Sequence, residues 1–87
     1  MKINPDFVLR TVAGKHIVVP IGEAGVSFNG VITLNDSGKM LFEMLVKGAE
    51  PKDLVNRLME VYDVSQEQAN EDVKAFIETL ASRHVLA

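Results

Sequence analysis

The apolar residues of this chain change their spacing once, between residues 28 and 35, and that change limits the folds open to it. Before it, β-branched and aromatic residues come in short runs; after it, apolar residues recur every three to four positions. Strands gathered at one end of a chain and helices at the other give an α+β fold, a small sheet with helices on one face.

The first run is Phe7-Val8-Leu9-Arg10-Thr11-Val12, and the second is His16-Ile17-Val18-Val19-Pro20-Ile21. Ala13-Gly14-Lys15 separates them, which predicts a hairpin. Pro20 has no N–H for a ladder, so the second strand ends there or leaves that position unpaired. Gly22-Glu23-Ala24-Gly25 reads as a connector, and Val26-Ser27-Phe28 leads through an Asn29-Gly30 turn into a third strand, Val31-Ile32-Thr33-Leu34. Three short antiparallel strands are unstable in water until one face is covered.

Three helices are predicted to supply that cover. Asn35 or Asp36 caps the first, Met40, Leu41, Met44 and Leu45 form its apolar stripe, Phe42 turns to a second neighbour, and Gly48 stands at the left-handed C-terminal position. Pro51 opens the second, whose inward residues are Leu54, Val55, Leu58, Met59 and Tyr62, and which stops near Tyr62-Asp63. Ser65-Gln66-Glu67-Gln68 matches a capping box in which Ser65 accepts from Gln68 N–H and the Gln68 side chain reaches back to Ser65 N–H. In the third helix Ala69, Val73, Phe76, Ile77 and Leu80 take one face, and Glu67, Glu71, Lys74 and Glu78 the other. Val85 and Leu86 either close over its end or fray.

Composition narrows the function more than it specifies it. Eighty-seven residues make one domain, in which folding hides only about 60 to 65% of the surface of the open chain. Without cysteine there is no disulfide, thiolate metal site or thiol nucleophile, and a reducing cytoplasm is the expected setting. Met1-Lys2-Ile3-Asn4-Pro5-Asp6 lacks a signal-peptide core, and no apolar run spans a bilayer.

Residue types that carry chemistry are present without the company they need. His16 and His84 belong to no spaced metal motif, so a structural or solvated role is expected for both. Glu71 and Asp72 are neighbours on a helix, about 100° apart, and do not converge as an acid and a base; Asp72 borders the apolar stripe and is the better candidate for ligand contact. The Gly22 to Gly25 stretch lacks the Lys-Ser/Thr ending of a phosphate loop, and Ser27 and Ser37 have no nucleophile context. The expectation is a chain without catalysis, metal or cofactor.

Helices two and three with the tight turn between them invite a DNA reading. Against it, Glu67, Glu71, Asp72 and Glu78 outweigh Lys74 and Arg83 on the third helix, and the chain carries a net charge of -3. The Val31 to Leu34 strand has no Lys, Glu or Pro to block pairing at a sheet edge, so it suits an extended guest peptide, or a second copy of the chain.

Phe28-Asn29-Gly30-Val31-Ile32-Thr33-Leu34-Asn35, then Gly38, Leu45 and Gly48, then Leu54-Val55 and Tyr62-Asp63-Val64, then Ala69, Asp72, Val73 and Phe76 follow one another in an order that resembles the PqqD-like family. That family is named for coenzyme PQQ synthesis protein D and is also known as the RiPP recognition elements. The resemblance covers most of the chain, from about residue 7 to residue 86. It implies a winged helix-turn-helix domain that makes no bonds itself, binds the leader of a ribosomally made precursor peptide between the third strand and the third helix, and presents it to a modifying enzyme, often a radical SAM protein. Carried onto this chain, the backbone of Val31, Ile32, Thr33 and Leu34 pairs with the guest, and Asp72, Val73, Phe76, Ile77 and Leu80 form the groove wall. Glu50 departs from the family's usual Ser or Thr cap, a matter of helix stability.

Overall fold

The computed structural model describes residues 1–22 and 31–87. Of the connector expected at Gly22-Glu23-Ala24-Gly25 only Gly22 is described; the rest of it, the segment after it and the Asn29-Gly30 turn lie outside the described residues. Within them the order is three strands, β1 (Phe7–Val12), β2 (Lys15–Pro20) and β3 (Ile32–Leu34), then three helices, α1 (Asp36–Lys47), α2 (Pro51–Val61) and α3 (Gln66–Ser82). The sheet is antiparallel throughout, in the order β1-β2-β3.

The β1–β2 hairpin closes through Ala13 and Gly14, with φ of 52° and 78°. Two positive φ values in a row match the strong right-handed twist of the flanking strands, and the glycine takes one of them without steric cost. Both later strands are offset from their sequence reading: β2 starts at Lys15 and ends at Pro20, and β3 starts at Ile32, leaving Val31 exposed beside it.

Alternation along the strands puts Phe7, Val18 and Ile32 on the face that meets the helices, and all three are buried. They join Leu41, Phe42, Leu45, Leu54, Val55, Leu58, Ala69, Val73 and Leu80 in one core. His16 lies on the same face of β2. Its Nδ1 is 3.0 Å from Thr11 Oγ1 and its Nε2 is 2.8 Å from Asp36 Oδ1, which ties the sheet to the first turn of α1.

Local chemistry sets the helix ends. Asn35 is the cap of α1, accepting from Gly38 N–H at 2.8 Å, while the Gly48 N–H donates back to Met44 and Leu45 from a backbone with φ of 101°. Glu50 caps α2 less conventionally, its own N–H donating to the Asp53 carboxylate at 2.9 Å. Ser65 accepts from Gln68 N–H at 3.1 Å as expected, but the Gln68 side chain turns forward to Asp72 Oδ1 at 2.8 Å instead of back to Ser65. Residues four apart share a helix face, which places that acceptor within easy reach.

Met59 and Tyr62 correct the reading of α2, for both are exposed, at 41% and 37%. Leu54, Val55 and Leu58 already form the narrow stripe that α2 turns to the core. Met59 lies about 100° further round the helix, towards solvent, and Tyr62 is extended, past the helix end.

The chain ends close over each other. Ile3 bridges Leu86, Asn4 N–H donates to Val85 O at 2.7 Å, Ala87 N–H donates to Lys2 O at 2.9 Å, and Ile3 N–H donates to Leu45 O at 3.1 Å. Val85 is fully buried.

Candidate functional site

β3 stands at one end of the sheet, and among the described residues no strand pairs with its far side. Which of its main-chain groups face that free edge follows from the ladder. Ile21 N–H donates to Asp6 O at 2.7 Å, and these residues stand opposite each other one step beyond the Phe7–Pro20 pair. They are therefore a hydrogen-bonded pair, and such pairs recur at every second position along an antiparallel ladder.

Counting along the unbroken register, Val8–Val19 and Arg10–Ile17 are of the same kind, so Ile17 spends its N–H and C=O on β1. His16 and Val18 then face β3, opposite Leu34 and Ile32. Thr33, opposite Ile17, turns its N–H and C=O away from the sheet. The same parity explains Pro20: its nitrogen faces away from β1, where no donor is missed.

A groove of about 290 Å³ runs along this edge, between β3 and α3. Ile32, Leu34, Phe76 and Leu80 give it apolar walls, while Gly38, Ala75 and Thr79 keep it open. It continues into a second hollow of about 300 Å³ over Asn35, Ser37, Leu41, Leu58 and Asp72. Asn35, Gly38, Ala75 and Phe76 border both halves. At Gly38 a Cβ would come within 3.2 Å of Asn35 Oδ1 and 3.3 Å of Leu34 Cβ, so the absence of a side chain lets strand and helix turn tightly at the groove floor.

The structure divides the residues expected at the site. Ile32, Thr33, Leu34, Phe76 and Leu80 come together around the β3–α3 groove, and Asp72 lines the half that continues it. Val31 lies beside the start of β3, half exposed and outside the ladder. Val73 and Ile77 line a different groove on the other side of α3, with Pro51, Lys52, Val55, Asn70, Lys74 and Glu78. Val73 is also core, 2% exposed.

Asn35, Ser37, Gly38, Ala75 and Thr79 were not anticipated at the site. A signal for two of them is present in the sequence: Ala75 and Thr79 lie three and seven positions after Asp72, on the helix face that also carries Phe76. Among the described residues no group of three or more His, Asp or Glu could hold a metal ion, and no helix is long and apolar enough to cross a membrane.

A β-edge beside an apolar groove is the geometry of a site for an extended chain, and the comparisons with known proteins agree on the fold that carries it. The family model for coenzyme PQQ synthesis protein D matches residues 15–86, and the chain belongs to that family. Two solved structures share the fold at 21% identity. One is described as TbiB1 in complex with the TbiA(beta) leader peptide, with a TM-score of 0.81 over 99% of this chain and 94% of that one. The other is described as lasso peptide synthetase B1 complexed with the leader peptide, with a TM-score of 0.75 over 93% of this chain and 89% of that one. No curated protein matches the sequence.

Proposed function

We propose that this chain is a non-catalytic adaptor that takes up the leader of a ribosomally made precursor peptide as an added strand between β3 and α3, and presents it to a modifying enzyme in the cytoplasm. The observation that carries the reading is the outward N–H and C=O of Thr33 at the mouth of the groove. A guest strand exchanges hydrogen bonds with that residue while its side chains settle against Phe76, Ala75 and Leu80. Membership of the family and a fold shared with two proteins solved with leader peptides support it. A radical SAM enzyme as the partner rests on the family resemblance alone.

Thr33→Pro tests the proposal, because it deletes the outward donor while leaving the donors of Ile32 and Leu34 to β2. With the peptides encoded beside the protein, affinity measured by calorimetry falls about tenfold or more, while Thr33→Val, which keeps the N–H, binds as the parent does. A folded Thr33→Pro variant that binds unchanged would rule out strand addition at this edge.

A further inference from the structure

The two halves of the groove differ in chemistry. Among the described residues, the lining around Phe76 and Leu80 carries no ionisable side chain, and in the continuing half it carries one, Asp72. Asp72 Oδ1 accepts from the neutral Gln68 amide, and among the described residues no Lys or Arg forms an ion pair with it. Asn35 Oδ1 is already taken by Gly38 N–H and by Ser37 Oγ at 2.9 Å, so it does not compete for a donor from the guest.

Spacing converts this contrast into a sequence pattern. Leu80, Phe76 and Asp72 stand at successive turns of α3, about 6 Å apart along its axis, and alternate residues of an extended strand repeat at about 6.7 Å. Guest side chains at positions i, i+2 and i+4 therefore meet these turns one after another. Resting on the strand-addition reading, we infer that the guest carries two bulky apolar residues at alternate positions and a Lys or Arg two positions beyond them, with Asp72 selecting the cation. The pattern runs in either direction, according to the guest's polarity. The acidic balance of the chain favours the same class of peptide.

Synthetic nonapeptides centred on Leu-Thr-Leu-Thr-Lys, and on the reversed order, are titrated into isotope-labelled full-length protein, with Glu or norleucine replacing Lys in matched sets. For the tighter order, the Lys peptide binds about three- to tenfold better than the norleucine peptide. The Glu peptide is weakest, and Asp72→Lys reverses the Lys and Glu ranking. Equal affinities across the set, with the Thr33 amide still shifting, would overturn the role of Asp72 and leave strand addition standing. If no peptide moves the Thr33 amide, the pattern and strand addition fall together.

Discussion

α3 borders two grooves that differ in what forms the opposite wall. On one side α2 supplies it, and the resulting groove of about 460 Å³ is bounded by Val55, Val73 and Ile77 with Lys52, Lys74 and Glu78 at its margin. On the other side the wall is β3, where two continuous hollows of about 290 and 300 Å³ share their middle residues, and the border along β3 is main chain whose Thr33 donor and acceptor have no strand partner among the described residues. Side chains alone offer an apolar surface that many shapes can occupy. A strand edge adds directional bonds at a fixed repeat, which selects an extended backbone before any side chain is read.

The comparison breaks most visibly where groove and core share a residue. Leu80 is fully buried and also borders the β3 groove, so Leu80→Ala costs about 2 to 5 kcal/mol of stability, measured by urea unfolding, and weakens peptide binding as well. Ala75 separates the two effects, since it is exposed and lines both halves of the site. Ala75→Trp fills the groove from the helix side, and affinity falls about tenfold with little change in the thermal midpoint.

Smaller effects sharpen the contrast. Asn35→Ala removes the cap of α1, a loss of about 1 kcal/mol, and loosens the strand-to-helix turn that holds β3 beside α3. Lys52→Ala with Lys74→Ala alters the margin of the α2–α3 groove alone, and peptide affinity stays within about twofold of the parent. A larger loss from that pair would move the site to the other side of α3.

The residues explain how far this architecture could be read in advance. Three strands and three helices were legible because each run keeps a single period and ends in recognisable chemistry: Gly14, Asn35, Gly48, Pro51 and Ser65 are where turns and caps form. Ile3 was not legible. It sits in a short segment with no periodicity, and its burial depends on Leu86, at the opposite end of the chain.

At the site, an apolar stripe along α3 was plain, but a stripe has two flanks and periodicity does not say which partner covers each. Val73 and Ile77 fell to α2, and Phe76 and Leu80 to β3. Ala75 and Gly38 escaped notice because small residues give a groove its space and leave no apolar signal of their own. The direction of the Thr33 main chain depends on the pairing of β3 with β2, between residues 14 to 18 apart in the chain, which no tight turn fixes as it fixes the β1–β2 hairpin.

Hydrogen exchange at individual amides tests the strand-addition claim most directly. Ile32 and Leu34 donate into the sheet whether or not a guest is bound, while the Thr33 N–H has no ladder partner among the described residues and gains one when a guest strand pairs there. Saturating the protein with the tightest-binding of the synthetic nonapeptides should slow exchange at Thr33 far more than at Ile32 or Leu34. Tight binding that leaves Thr33 exchanging as fast as in the free protein would contradict the account.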